Sequence, residues 1–183
     1  EVQPTLSLST YELSMMVGDA ETVTATLKGE VSEGYTVTGW SSDNESIATV
    51  DNGTIKAVGE GTATITVTAS NGTDSISKTI AVTVAPEGSE AVKVEKVETS
   101  GNTETATLSG SFLTSSGAEG IAVNGNTVTI DAKSDGSNIT SSKVVIPQET
   151  AQALAGKTVV VETSTGSISL NSTLLAQIAG VEN

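Results

Sequence analysis

The chain of 183 residues contains no cysteine, no histidine and no arginine, and it has only one Trp, two Tyr and one Phe. Without cysteine it can form neither disulfides nor thiolate zinc sites. Without histidine and cysteine it also lacks the commonest general bases and soft nucleophiles, so catalysis would have to rest on carboxylates, Ser/Thr or Lys alone. We therefore expect a protein that is not an enzyme and that needs no metal or cofactor.

Positive charge and long apolar runs are scarce as well. The net charge of −14 opposes binding to nucleic acid or anionic lipid, because both require patches of Lys or Arg. No stretch approaches the roughly 18 apolar residues of a membrane span. No signal peptide is visible at Glu1, so in a secreted protein that segment would have been removed or would lie outside this sequence. The abundant Thr, Ser and Gly are typical of exported bacterial β-proteins.

The first half of the chain alternates apolar and polar residues, as half-buried strands do. Within Glu21 to Lys28, for example, Val23, Ala25 and Leu27 share one face. Asp51-Asn52-Gly53 predicts a tight primed hairpin turn between two strands. The other predicted strands cover 5–8 with 12–17 (one strand broken at Thr10-Tyr11), 35–40, 47–50, 54–58, 62–68 and 76–84. About seven short strands separated by turns predict an all-β sandwich of two sheets.

The stretch from Gly39 to Val67 carries a more specific pattern, in which a lone Trp ends one strand and three short apolar runs follow between Asx or Gly turns. Its pieces are Trp40-Ser41-Ser42, Ile47-Ala48-Thr49-Val50-Asp51, Gly53-Thr54-Ile55 and Gly61-Thr62-Ala63-Thr64-Ile65-Thr66. With them, residues 5–85 resemble the bacterial immunoglobulin-like domain, group 2, of bacterial surface proteins and adhesins. In that family such domains act as stalk modules or adhesive tips. The resemblance implies an Ig-like fold and an extracellular or cell-surface location.

A change of composition at Ala85 to Glu90 predicts a domain boundary. Pro, Gly, Ser and charge replace the alternation there, as in an exposed linker. We expect an Ig-like β-sandwich at 1–85, a linker at 86–90 and a small α+β domain with two short helices at 91–183. The chain as a whole is predicted to be mainly β.

The second domain contains a strand–helix pseudo-repeat at about 144–156 and 168–180. In both copies, a strand is followed by a residue that favours a helix N-terminus, then by a short segment with one apolar face, and finally by a Gly that ends the helix. This pattern predicts helices at 148–155 and 172–179. Each helix is expected to lay its apolar face on a sheet. These faces comprise Ala151 and Leu154 in the first helix, and Leu174, Leu175 and Ile178 in the second. The predicted strands are 92–95, 105–112, 126–132, 143–146, 158–162 and 167–170. This half loosely resembles modules beside Ig-like repeats in Gram-positive surface proteins.

Several residues could carry a site, and each has a simpler structural explanation. Trp40 could stack on a sugar, but we predict that it belongs to the sandwich core, because a chain with four aromatics has few stacking surfaces. Acidic turns could bind calcium, but turn hydrogen bonding by Asp and Asn explains each of them, and we predict no calcium site. They are Asp43-Asn44-Glu45, Asp51-Asn52, Asn71 with Asp74, and Asp131 with Asp135 and Asn138.

Lys residues could form isopeptide links only if buried beside Asn and Glu. The Asn-x-Ser/Thr triplets at Asn44, Asn52, Asn71, Asn138 and Asn171 are acceptors only in a host that glycosylates them.

These observations favour a non-enzymatic cell-surface or extracellular module, of stalk or adhesion type, to which we assign no catalytic, cofactor-binding or metal-binding residue. The alternative is an accessory module, for example a carbohydrate-binding one, of a larger secreted enzyme, although the few aromatics count against it. Binding residues concentrate on loops, and long Gly/Ser/Asn loops occur at Ser109 to Gly120 and Ser134 to Ser142. Recognition of a host-surface protein, a glycan or a cell-wall component is therefore expected in residues 91–183.

Overall fold

The computed structural model of the protein describes residues 4–29 and 34–180. The chain divides into two compact units, Glu1–Glu87 and Gly88–Asn183. The fold is mainly β, as the sequence predicts, and both short helices belong to the second unit.

The described residues of the first unit form nine short strands in three sheets. The four-stranded sheet has the order β2-β9-β8-β5, the three-stranded sheet β3-β7-β6, and the two-stranded sheet β1-β4. The strands are β1 (Thr5–Leu8), β2 (Glu12–Met15), β3 (Ala20–Thr22), β4 (Ala25–Lys28), β5 (Thr36–Ser42), β6 (Ala48–Asp51), β7 (Thr54–Ala57), β8 (Gly61–Ser70) and β9 (Ser75–Val84). All the pairs are antiparallel except β2 with β9, which is parallel.

The predicted strand from Glu21 to Lys28 is in fact two strands that pair with different partners. β3 pairs with β7, and the N–H of Val23 extends that ladder by donating to the Gly53 carbonyl at 2.8 Å. At Thr24 the chain turns to β1 instead, because the Thr24 carbonyl accepts from the Ser9 N–H at 2.9 Å. Since the apolar alternation runs on without a break, the sequence gives no sign of this exchange.

The core of the first unit is built by the alternation that the sequence predicts. Ala63, Ile65, Val67 and Ala69 of β8 are buried, and so are Ile80, Val82 and Val84 of β9, all at 5 % exposure or less. Burying one such aliphatic side chain stabilises the fold by about 1.5–3 kcal/mol. The predicted hairpin turn is also confirmed, since Asn52 and Gly53 both have positive φ angles (48° and 89°), as a type I′ turn requires.

Up to residue 180, the second unit has two sheets and two helices. The three-stranded sheet has the order β10-β11-β14 and the four-stranded sheet β12-β13-β15-β16. Its elements are β10 (Lys93–Ser100), β11 (Thr103–Ser109), β12 (Ile121–Asn124), β13 (Thr127–Asp131), β14 (Ser141–Val145), α1 (Gln148–Ala153), β15 (Thr158–Thr163), β16 (Gly166–Leu170) and α2 (Ser172–Ala179). β11 pairs with β14 and β13 with β15 in parallel, and the remaining pairs are antiparallel. β12, a strand of only four residues, is absent from the strands predicted from the sequence.

The two helices follow β14 and β16, the strands of the predicted pseudo-repeat. The predicted ends of α2 are confirmed: the Asn171 side chain accepts from the Leu174 N–H at 2.9 Å, and Gly180 is left-handed with φ 69°. In α1, which ends two residues earlier than predicted, Ala151 lies in the core, as does Leu154 just beyond its end.

The prediction for the apolar face of α2 is wrong in part. Leu175 is buried, but Leu174 and Ile178 are 41 % and 39 % exposed. The inward positions of α2 are Leu175 and Ala179, one turn apart. Leu174 and Ile178 are each one residue before them, and a step of one residue rotates a side chain by about 100° around the helix.

Candidate functional site

Two loops of the second unit meet along an open groove of about 610 Å³. One loop follows β11 and the other follows β13, and they overlap the two loops to which the sequence analysis assigns recognition. β10 supplies one side of the groove. The lining residues are Lys93, Val94, Ala118, Glu119, Gly120, Asp131, Lys133, Ser134 and Asp135. This groove is the candidate binding site, and we call it the loop groove.

The loop groove has mixed charge with an excess of carboxylates. Three carboxylates, those of Glu119, Asp131 and Asp135, line it together with two ammonium groups, those of Lys93 and Lys133. A short hydrogen bond to the Glu162 carboxylate (2.5 Å) raises the pKa of Lys133, and the Asp131 carboxylate 3.7 Å away acts in the same direction. Because these groups are about half exposed, the ion pairs add little stability.

Behind the groove, the carboxylate of Glu104 is fully buried at the start of β11. It accepts hydrogen bonds from the Ser142 hydroxyl at 2.5 Å and from the Ser164 hydroxyl and N–H at 2.6 and 2.7 Å. A further hydrogen bond comes from the Ser134 N–H at 3.2 Å. Both carboxylate oxygens therefore have two donors each, which compensates for burying the charge.

These hydrogen bonds determine how Glu104 titrates. Burial alone would raise the pKa of its carboxyl group. The hydrogen bonds from Ser142, Ser164 and Ser134 outweigh burial and lower the pKa from 4.5 to about 2. Glu104 is therefore ionised at neutral pH, and a carboxylate with so low a pKa is a poor general base for the serines around it. The arrangement is suited to holding segments together.

The segments that Glu104 joins are distant in sequence. Ser142 belongs to β14, Ser164 to the turn between β15 and β16, and Ser134 to the loop that lines the groove. The Ser142 hydroxyl also lies 2.6 Å from that of Thr165, which extends the network along the same turn. We call Glu104 with its three serines the Glu104 network. It fixes one wall of the loop groove through Ser134.

Glu104 is not among the residues predicted from the sequence to form a site, although β11 carries a signal for it. Glu104, Ala106 and Leu108 are two residues apart and are all buried. A Glu in phase with the inward apolar residues of a strand indicates a buried carboxylate, which must find hydrogen-bond donors. The donors themselves are not recognisable in a chain so rich in serine.

Trp40 lies at the rim of the first unit's core and is only partly buried, so the prediction that it belongs to the core is right only in part. Its ring packs against the core cluster and against Gly53, where an added Cβ would be 3.3 Å from Cζ2. It also lines a second open groove with residues 37–39 of β5 and residues 50–52. The physical reason is its position on β5, an edge strand with a bulge between Val37 and Gly39.

Two of the acidic turns have the local hydrogen bonding that the sequence predicts. The Asn44 side-chain oxygen accepts from the Ser46 N–H at 3.2 Å and from its hydroxyl at 2.6 Å. The Asn71 side-chain oxygen accepts from the N–H groups of Thr73 and Asp74 at 2.9 and 2.7 Å. Each Asn thus stabilises its own turn.

Of the remaining sequence candidates, Asp131 and Asp135 both line the loop groove. Asp131 accepts from the Lys133 N–H at 3.3 Å, and the carbonyl of Asn138, a residue with φ 63°, accepts from the Asn102 side chain at 2.7 Å. In residues 4–29 and 34–180, no three His, Cys, Asp or Glu side chains converge as a metal site would require. All eight lysines are exposed or partly buried, whereas an isopeptide link needs a buried lysine.

Comparison with known proteins identifies the first unit. A search of curated proteins finds no match to this chain. Neither helix in the described part of the chain is long and apolar enough to cross a membrane. The family model of the bacterial Ig-like domain (group 2) matches residues 4–80, which confirms that this part of the chain resembles that family, as the sequence indicates.

Proposed function

We propose that this chain is a non-enzymatic module of a bacterial surface or secreted protein, of stalk or adhesion type, in which the Ig-like unit serves as a spacer and the second unit carries recognition. The observation that carries the proposal is the group 2 match over residues 4–80, because such domains are typical of bacterial surface proteins. The group 2 family is itself a non-catalytic family of Ig-like modules.

The loop groove is the surface that we assign to recognition. It is formed by two loops held on a sheet scaffold, which is where binding residues concentrate. The Glu104 network preorganises one wall, so a partner would not have to order Ser134 on binding. The partner is a host-surface protein, a glycan or a cell-wall component. The excess of Glu119, Asp131 and Asp135 over the two lysines favours a neutral or basic group at the contact.

The test is capture of partners from host-surface and cell-wall extracts by the full chain and by two matched double variants. Glu119→Lys with Asp135→Lys reverses two exposed charges in the groove. Glu12→Lys with Glu45→Lys makes the same change of net charge on exposed residues of the first unit. We expect the groove variant to lose capture and the control to retain it. Equal capture by both variants would show that recognition lies elsewhere.

One observation favours a second candidate function, an accessory carbohydrate-binding module of a larger secreted enzyme. Trp40 borders an open groove beside the side chains of Asp51 and Asn52, which are joined by a 2.9 Å hydrogen bond. An aromatic ring beside polar side chains can stack on a sugar and bind its hydroxyls. A glycan array with the native chain and the Trp40→Ala variant distinguishes the two candidates, since only a sugar site at Trp40 predicts glycan binding that the variant lacks.

A further inference from the structure

No strand in the described part of the chain pairs with the outer edge of β16. β16 is the last strand in the order β12-β13-β15-β16, and its residues Gly166 to Ser169 are all exposed. In an antiparallel ladder every second residue directs its backbone N–H and C=O away from the neighbouring strand. These groups of β16 can therefore pair with a strand from another molecule.

Other edge strands of the second unit carry features that discourage such pairing. β10 has a bulge between Val94 and Lys96 and is rich in charge, and β14 carries Lys143. Charged side chains and bulges are the usual protection of sheet edges. β12 lacks them but is only four residues long. β16 has five residues (Gly-Ser-Ile-Ser-Leu), with no charge, no proline and a regular register against β15.

β16 also lies in the longest uncharged segment of the second unit. No charged residue occurs between Glu162 and Glu182, in a chain whose net charge is −14. The same segment contains every large apolar side chain that is exposed in the described part of the second unit: Ile168, Leu174 and Ile178. An open edge, exposed apolar side chains and missing charge thus coincide.

We propose that β16 pairs in antiparallel fashion with β16 of a second copy of this chain, about a twofold axis at Ile168. Two copies that each carry −14 repel one another, so they approach most closely where their surfaces carry no charge. The strand also suits a twofold contact, in which one interface pairs the same residues from both molecules. With Ile168 opposite its counterpart, Ser167 lies opposite Ser169 of the second copy, and two exposed apolar side chains bury one another.

The absence of cysteine makes this proposal directly testable. Opposed residues in neighbouring antiparallel strands have Cβ atoms about 4.5–5.5 Å apart, so Ile168→Cys should form a disulfide-linked dimer rapidly on mild oxidation. Ala122→Cys, an exposed position on the opposite edge strand β12, is the matched control. We expect cross-linking at least about tenfold faster at 168 than at 122, as for a contact formed before oxidation. Equal rates would overturn the proposal.

Sedimentation velocity supplies an independent measurement on the native chain. We expect concentration-dependent dimerisation that Ile168→Lys weakens at least about tenfold, while Ala122→Lys leaves it unchanged and both variants keep the native circular dichroism spectrum. A native chain that stays monomeric up to about 1 mM, equivalent to less than about 4 kcal/mol of association, contradicts the proposal. A dimer whose affinity is unchanged by Ile168→Lys also contradicts it. If Ile168→Lys fails to fold, the cross-linking rates of Ile168→Cys and Ala122→Cys alone test the proposal.

Discussion

Replacing Glu104 by Gln should destabilise the second unit, because it removes the charge that the serine donors surround. The amide NH₂ group of Gln is a donor, and it takes the place of one of the two carboxylate oxygens. In one orientation it would face the donors of Ser134 and Ser164, and in the other those of Ser142 and Ser164. The substitution therefore loses charge-assisted hydrogen bonds and leaves donors without an acceptor inside the protein.

The expected magnitude follows from the titration of Glu104. Its pKa falls from 4.5 to about 2 on folding. Since a tenfold change in proton affinity corresponds to about 1.4 kcal/mol, the folded state favours the charged carboxylate by roughly 3–3.5 kcal/mol. We expect Glu104→Gln to lower the free energy of unfolding by about 2–3 kcal/mol at pH 7. The matched control Glu95→Gln, at an exposed position of β10, should change it by less than about 0.5 kcal/mol.

The effect should depend on pH with a definite sign. A carboxyl group whose pKa is lowered by folding contributes fully above its unfolded pKa near 4.5, and the contribution disappears as pH falls towards 2. Native and Glu104→Gln proteins should therefore differ most above pH 5 and approach one another near pH 2.

Hydrogen exchange measured by mass spectrometry is the appropriate assay, because all the Trp and Tyr residues lie in the first unit. We expect faster exchange in β11, β14 and the β15–β16 turn of the variant. Trp40 fluorescence should stay unchanged as an internal control. Exchange in β11 equal to that of the native protein at pH 7, or a difference that persists to pH 2, would refute the role assigned to the carboxylate.

Three further predictions concern the first unit and metals. In urea unfolding, Gly53→Ala should lower the free energy of unfolding by about 2 kcal/mol or more, because Gly53 has a positive φ and an added Cβ would be only 2.6 Å from the Val23 carbonyl oxygen. Gly72→Ala, at almost the same φ but with no atom near the added Cβ, should lower it by about 1 kcal/mol. Because Trp40 is partly buried, its emission wavelength should lie between those of buried and exposed Trp, and iodide should quench it partly; a fully protected ring would contradict this. Trp40→Ala should lower the free energy of unfolding by about 2–3 kcal/mol, less than the 3–5 kcal/mol typical of buried aromatics. Calcium and chelator should leave the melting temperature unchanged, and a chelator-sensitive rise of many degrees would show that a site has been missed.

Local patterns in the sequence predict the local structure of this protein well. The alternation of apolar and polar residues in β8 and β9 predicts which side chains are buried, because a strand directs successive side chains to opposite sides. Asn52-Gly53 and Asn171 specify a turn and a helix cap through conformations and hydrogen bonds that involve only their neighbours. These features need no knowledge of the rest of the chain.

Features that depend on contacts between distant residues could not be predicted. Glu104 bonds to serines 30, 38 and 60 residues away, and nothing distinguishes those serines from the many others. The exposure of Leu174 likewise depends on which face of α2 meets the core, and an eight-residue helix with several apolar residues leaves that choice open. The candidate groove arises in the same way, since the chain path brings its two loops together.

The central claim is that recognition belongs to the second unit and that the Ig-like unit is a spacer. It is tested most directly by capture from host-surface and cell-wall extracts with residues 1–87 and 88–183 expressed separately, each first shown to melt cooperatively. We predict that residues 88–183 capture the same partner as the full chain and that residues 1–87 capture none. Capture by residues 1–87, with none by residues 88–183, would contradict the account.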